Sequence, residues 1–240
     1  MSLFRRKPTP APQPAAAPAP PAQPAPSAHV PLGQPAATGI NLTKGGSASI
    51  SLSKSDPTAQ ITAHLDWDGG SDHRRARGAD LELYVLHVPA ADVVAGGKRS
   101  QPIPGGAVYY RNLGSLDQPP YIRHHGDSLT PGRETATIAR PDQHGYALIC
   151  AYSAVGNGVG SFKEYGARAI ITDGREQTVT VPLYDNNRYA YWVAIALVDF
   201  THGSALISQV ELYSRDGSEA RPALYSNGRI GMDEGPVEFK

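Results

Sequence analysis

The chain has 240 residues, with 22 basic and 22 acidic side chains, a single cysteine, and no apolar run long enough to cross a membrane. Three of the basic residues, Arg5, Arg6 and Lys7, precede a proline-rich stretch. The rest of the chain has 19 basic and 22 acidic residues. This balance argues against a general nucleic-acid binder, whose folded domain carries a basic surface. One cysteine also excludes an intrachain disulfide and paired-thiol redox chemistry.

Residues 1–38 differ sharply in composition from the rest of the chain. They contain 11 of the 22 prolines and no acidic residue, and their alternation of Pro with Ala favours extended polyproline II segments. Such a segment buries too little apolar surface to offset the entropy cost of folding. We therefore predict a disordered Pro/Ala-rich N-terminal arm over 1–38 and one folded domain over 39–240.

The first residues decide the expected compartment. After the basic residues 5–7 comes Pro8-Thr9-Pro10 instead of an apolar run, so the pattern of a signal peptide is not completed and we expect a cytoplasmic protein. A solvated arm is the favoured interpretation of 1–38. The alternative is a tether whose basic, apolar tip, residues 3–7, contacts a membrane surface or a partner, although so short a tip gives only marginal membrane affinity.

Beyond the arm the dominant sequence period is two, which is typical of half-buried strands. Apolar and polar side chains alternate along 47–53, 60–68 and 80–85, which predicts one-sided strands there. Further strands are predicted, in chain order, at 107–110, 135–139, 146–152, 167–172, 177–183, 189–198 and 206–213. Turn-forming residues separate these segments. The fold class predicted is all-β, an antiparallel β-sandwich of about ten strands.

Acidic and amide side chains recur where these predicted strands end. Oxygen atoms contributed by several loop segments are what a hard cation such as calcium binds. The same residues have simpler explanations: Asp66 and Asp68 are also typical of a turn before Gly69-Gly70, and Asp127 of a turn or cap. Alternation alone would place Asp80 and Glu82 on a solvated strand face.

Other chemistries find weaker support in the sequence. The histidines lack metalloprotease or zinc-finger spacing, which favours scattered surface residues. These histidines are His64, His73, His87, His124 and His125. No Gly-x-Ser-x-Gly elbow marks a nucleophilic serine. The glycine-rich loop 156–160 has its third glycine one residue too early for a dinucleotide fingerprint, and no helix follows it, so we predict a hairpin loop.

Two further features favour a packed core over chemistry. Cys150 lies inside the apolar run 146–152, as a small buried hydrophobic residue does. Aromatic residues are typical of a sandwich core, with a carbohydrate-binding surface as the alternative. The aromatic residues in question are Trp67, Tyr109, Tyr110 and Tyr152.

Seven motifs, taken in order and with their rough spacing, resemble those of the TerD family of bacterial tellurite-resistance and stress-response proteins. The resemblance runs from about residue 40 to about residue 215. The motifs are Leu42-Thr43-Lys44-Gly45-Gly46, residues 49–54, Leu65-Asp66-Trp67-Asp68, Gly78-Ala79-Asp80-Leu81-Glu82-Leu83, Tyr110-Arg111-Asn112-Leu113, residues 125–130 and residues 161–170.

The resemblance implies a calcium-binding β-sandwich without established enzymatic activity that acts with other proteins of a tellurite-resistance or stress operon. Matched position by position, the family's metal ligands fall on Asp68, Asp80, Glu82, Asn112, Asp127 and Glu134. Cofactor expectations are therefore limited to Ca²⁺, and neither an enzyme nor a nucleic-acid partner is expected.

This chain departs from the family's pattern around the implied site. Tyr84 and Arg111 stand where further oxygen ligands are expected, the following acidic loop is shortened to residues 131–134, and the guanidinium groups of Arg111 and Arg133 are expected near the cation position. These departures motivate an alternative function: a metal-free interaction or assembly module that binds a protein partner through the sandwich surface and the arm.

Overall fold

The computed structural model describes residues 38–53, 56, 58–68, 80–94, 106–128 and 132–240. All of them belong to one compact unit, Pro35–Lys240. The predicted arm over 1–38 therefore lies outside the described residues, apart from Thr38, and so does His73. None of the helices formed by the described residues has the length and apolar character needed to span a membrane.

Short strands make up most of the described part of the chain. In chain order they are β1 (Thr38–Asn41), β2 (Ser47–Ile50), β3 (Gln60–Asp66), β4 (Leu81–Pro89), β5 (Ala107–Val108), β6 (Gly114–Ser115), β7 (Ile122–His124), β8 (Arg133–Ala139), β9 (His144–Ser153), β10 (Arg168–Thr172), β11 (Gln177–Pro182), β12 (Trp192–Asp199), β13 (Ala205–Tyr213), β14 (Ala223–Leu224) and β15 (Ile230–Gly231). Single 3-10 turns lie at Ala90–Asp92, Pro141–Gln143 and Val155–Asn157.

The strands form two large sheets and one small ribbon. The first sheet has the spatial order β1-β11-β10-β3-β8-β7-β6, the second has the order β2-β13-β12-β9-β4-β5, and β14 pairs with β15. Apart from the parallel pairing of β1 with β11, neighbouring strands run antiparallel. The predicted all-β, antiparallel fold is confirmed.

One hydrophobic core lies between the two large sheets. Its members come from alternate positions of each strand, as the period of two requires. Ile61 and Leu65 of β3 contribute from the first sheet, while Leu83 of β4 and Ile149 of β9 contribute from the second. All four side chains are at most 1% exposed.

The strand predicted over 80–85 is buried on both faces, so the expectation of a one-sided strand there is wrong. Leu81, Leu83 and Val85 face the main core, whereas Tyr84 packs in a second cluster on the opposite face of the sheet. The chain that follows β13 covers this outer face, where Leu224 packs among the aromatic rings. Cys150 lies in the same cluster and is fully buried, as predicted from its apolar surroundings.

Acid sensitivity is expected from His87 on β4. Burial lowers the pKa of His87 from 6.5 to about 4, and the neighbouring His144 contributes to the shift. As the pH falls, the imidazole of His87 is therefore protonated in the unfolded state at a higher pH than in the folded state. The contribution of the neutral imidazole to stability is complete above pH 6.5 and is lost as the pH falls towards 4. In urea titrations, the free energy of unfolding should fall on acidification by about 3 kcal/mol less in His87→Gln than in the wild type.

The matched control for His87 is His202→Gln, at an imidazole that is 67% exposed. Equal acid destabilisation in the wild type and in His87→Gln would contradict the assignment of this acid sensitivity to the buried imidazole.

Candidate functional site

Three carboxylates converge at one end of β4, and we call Asp80, Glu82 and Asp127 the acidic cluster. Asp80 immediately precedes β4, Glu82 lies on it, and Asp127 lies in the loop that follows β7. One oxygen of each side chain lies within 4.8 Å of the other two. The structure thus brings together three of the six residues that the resemblance implies as metal ligands.

The ammonium group of Lys240 lies among these carboxylates. Its Nζ donates to Asp80 Oδ2 at 2.7 Å, to Glu82 Oε1, and to both oxygens of Asp127 at 3.3 Å. The same Nζ lies 4.9 Å from the centre of the Tyr110 ring, where the face of the aromatic ring attracts a cation. A cation of the chain itself therefore occupies the middle of the acidic cluster.

The sequence predicts the guanidinium groups of Arg111 and Arg133 near the cation position, and this prediction is wrong. Arg133 forms a bidentate pair with Asp66, at 2.6 Å and 2.9 Å, and Asp66 also accepts from Arg168 at 3.3 Å. The guanidinium of Arg111 lies 5.1 Å from the centre of the Tyr110 ring. No local motif marked Lys240, because it is 160 residues away from Asp80 along the chain.

Burial differs within the acidic cluster, from the buried Glu82 through the half-buried Asp80 to the exposed Asp127, and its carboxylates are only partly satisfied. Glu82 is 0% exposed, which excludes the solvated strand face as an explanation for this residue. Glu82 Oε2 and Asp80 Oδ1 are buried without a hydrogen-bond partner among the described residues. A buried carboxylate oxygen without a partner is costly, which favours a proton or a further cation at this position.

The burial of Glu82 and Lys240 changes the pKa values of both side chains. Burial raises the pKa of Glu82 from 4.5 to about 8; the hydrogen bond from Lys240 opposes the rise, and the charge of Glu134 adds to it. For Lys240, burial alone would lower the pKa, but the hydrogen bonds to Asp80 and Glu82 raise it above its ordinary value. Lys240 therefore stays charged at neutral pH.

Glu134 lies beside the cluster but binds backbone amides. It is 1% exposed on β8 of the first sheet, and its Oε2 accepts the N–H of Leu83 on β4 of the second sheet at 2.6 Å. Its Oε1 accepts the N–H of Ser128 at 3.0 Å. Because Leu83 follows Glu82 and Ser128 follows Asp127, one carboxylate fixes the backbone next to two members of the acidic cluster.

His124 completes this arrangement from β7. Its Nδ1 accepts the N–H of Gly126 at 3.1 Å, so a neutral ring carries its proton on Nε2, which lies 3.5 Å from Glu134 Oε2. The side chain is fully buried, so the prediction of a surface histidine is wrong here. Gly126 has φ of +114°, a conformation that side-chain-bearing residues rarely adopt, and it turns the chain towards Asp127.

Asn157 positions the remaining member of the cluster. Its side chain accepts the N–H of Asp80 at 3.1 Å and donates to the carbonyl oxygen of the same residue. A second bond from its amide to Ser153 Oγ, at 3.0 Å, ties the loop to β9. Asn157 lies between two glycines of the loop 156–160, which leads from β9 of the second sheet to β10 of the first sheet, so the prediction of a hairpin loop is wrong.

Two of the six predicted ligands have other surroundings. The carboxyl group of Asp68 lies against Gly166, where an added Cβ would come within 2.9 Å of it, and the N–H of Asp68 donates to Tyr165 at 2.8 Å. The amide of Asn112 donates to the carbonyl oxygen of Ala107 at 2.8 Å. Neither contact involves the acidic cluster.

The donor set of the acidic cluster fits a hard divalent cation. Three carboxylates supply up to six oxygens, which suits calcium because its six to eight ligands are oxygens, with waters or backbone carbonyls completing the shell. The ion and the Lys240 ammonium would use the same oxygen atoms.

Comparisons with known proteins show no family for this chain. No family model matches this chain, and no curated protein matches it. Among solved structures, the chain is similar to a homologue of the telluride resistance protein TerD from Streptomyces coelicolor A3(2), with 14% sequence identity and a TM-score of 0.43. The similarity covers 66% of this chain and 92% of that one.

Proposed function

We propose that this protein is a non-enzymatic, TerD-like β-sandwich of bacterial tellurite resistance or stress response that works in the cytoplasm and binds calcium at the acidic cluster. The observation that carries the calcium proposal is the convergence of Asp80, Glu82 and Asp127, with oxygens within 4.8 Å of one another. The seven sequence motifs supply the family context, and proteins of the same operon are the partners that this context implies.

The chain's own residues would prepare this site for the ion. Glu134 fixes the backbone beside Glu82 and Asp127, and Asn157 fixes that of Asp80, so the three carboxylates are positioned before any ion arrives. A bound calcium ion would supply positive charge and cross-link β4 to the loop after β7. Any role in tellurite resistance would be indirect, because burial raises the pKa of the Cys150 thiol and disfavours the reactive thiolate.

Calcium binding should stabilise the fold. At a free calcium concentration 100 times Kd, the stabilisation is about 2.7 kcal/mol, which corresponds to an increase in Tm of roughly 5–10 °C for a domain of this size. The double variant Asp80→Asn with Asp127→Asn should lose this increase, because it removes two carboxylates from the cluster. Differential scanning calorimetry with calcium and with a chelator measures both effects.

The control for the double variant is Asp117→Asn, at an exposed aspartate outside the acidic cluster, which should retain the calcium-dependent increase in Tm. Absence of binding in a calorimetric titration to millimolar calcium would remove the metal from the proposed function.

A metal-free interaction module is the second candidate, and the position of Lys240 favours it. The ammonium already compensates part of the negative charge of Asp80, Glu82 and Asp127 without any ion. In this case a chelator leaves Tm unchanged, and binding partners recovered through the sandwich or the arm are insensitive to calcium.

A further inference from the structure

We propose that Lys240 is a built-in competitor for the divalent cation, so that cation binding at the acidic cluster releases residues 237–240 from the sandwich. This inference rests on the proposed calcium site and adds to it a regulatory role for one lysine.

Competition follows from the shared oxygen atoms. Lys240 Nζ contacts all three carboxylates of the acidic cluster, and its side chain is 21% exposed. A divalent ion bound by the same oxygens would lie where the ammonium lies, and two cations in van der Waals contact repel each other. Binding of the ion therefore requires the ammonium to leave.

Polar and backbone contacts are what attach the neighbouring residues, beginning with an isolated antiparallel bridge between Val237 and Ala220. The N–H of Glu238 donates to Glu219 at 3.2 Å, and its carbonyl oxygen accepts from Tyr152 at 3.3 Å. Its carboxylate lies 3.5 Å from Arg221. In contrast, the apolar side chains of this segment point to solvent: Val237 is 53% exposed and Phe239 is 65% exposed. With no apolar anchor in these two side chains, Lys240 is the residue that attaches this segment to the acidic cluster.

The coupling between the two events is reciprocal. If calcium weakens the attachment of residues 237–240, then that attachment weakens calcium binding by the same factor. A chain in which Lys240 occupies the cluster more than nine-tenths of the time binds calcium at least about tenfold more weakly than a chain without this ammonium.

The test compares Lys240→Met with the wild type in the full chain, by calorimetric titration of calcium into chelator-treated protein. Methionine keeps an unbranched apolar stem and removes the ammonium. We expect a Kd for calcium at least about tenfold lower in Lys240→Met. Arg111→Met is the matched control, since it removes a nearby positive charge that contacts the Tyr110 ring instead of the cluster; we expect a much smaller change in its Kd.

Hydrogen exchange of the Glu238 amide provides a second measurement that needs no variant. In the wild type, calcium should accelerate exchange of this amide by on the order of tenfold or more, because its bond to Glu219 is lost on release. In Lys240→Met the amide should exchange rapidly even with chelator. A purely long-range charge effect of Lys240 would change the calcium affinity without changing this exchange.

The outcomes separate this inference from the proposed function. Calcium binding by the wild type, with unchanged affinity in Lys240→Met and unchanged exchange at Glu238, would overturn the competition and leave the calcium site intact. Binding by Lys240→Met alone would support the competition directly. Absence of binding by both proteins at millimolar calcium would overturn the calcium site and this inference together.

Discussion

Replacement of Glu134 by alanine is expected to lower the free energy of unfolding by about 3–5 kcal/mol. The substitution leaves the N–H groups of Leu83 and Ser128 without their acceptor in a buried environment and removes the carboxylate that links β8 to β4 across the two sheets. The loop that carries Asp127 also loses its attachment, so calcium-dependent stabilisation should disappear with it. Urea denaturation and calcium titration measure the two consequences.

Glu134→Gln is the informative comparison for this substitution. The amide side chain keeps one oxygen acceptor but presents an NH₂ donor to the second backbone N–H, so an intermediate loss of about 1–3 kcal/mol is expected. A Glu134→Ala protein as stable as the wild type would show that these two amides find other acceptors, and the role assigned to Glu134 would be wrong.

Replacement of Trp192 by alanine is expected to cost a similar amount, about 3–5 kcal/mol. The ring is fully buried, stacks on Tyr152 at a centroid distance of 4.6 Å, and meets the edge of Tyr84 at 4.7 Å. It therefore forms the centre of the second hydrophobic cluster, and the cavity left by alanine lies directly below the chain that covers this face. Thermal unfolding with a calorimetric enthalpy measures the loss.

Trp192→Phe separates packing from hydrogen bonding at this position. Phenylalanine retains most of the aromatic contacts and loses the bond from Nε1 to the carbonyl oxygen of Glu219, which is 3.1 Å long. About 1–2 kcal/mol should be lost. Stability of Trp192→Ala within 1 kcal/mol of the wild type would contradict a close-packed cluster.

The longer strands were predictable because burial of one face produces an alternation of apolar and polar residues, and burial of both faces produces a run of apolar residues. The alternation along β3 and the apolar runs of β9 and β12 identified these strands to within a few residues. Strands of two residues, such as β6 and β14, are too short to show a period of apolar residues in the sequence. The burial of both faces of β4 was missed because it depends on chain that arrives more than 130 residues later.

The candidate site was predictable in residue type but not in role. Asp80, Glu82 and Asp127 were found because carboxylates at strand ends are visible in the sequence. The roles of Glu134 and Asn157 depend on backbone N–H groups that every non-proline residue has, so no side-chain pattern reveals them. Lys240 reaches Asp127 across 113 residues of sequence, a distance over which local motifs carry no information.

The lengths of the outer strands bear on self-association. Both large sheets end in short strands: β1 and β2 have four residues each, and β5 and β6 have two, whereas β9 has ten. An exposed strand edge recruits further strands only over the length that offers unpaired backbone groups. Among the described strands, the longest one, β9, is paired on both sides, by β4 and by β12, so edge-to-edge growth into larger assemblies is disfavoured.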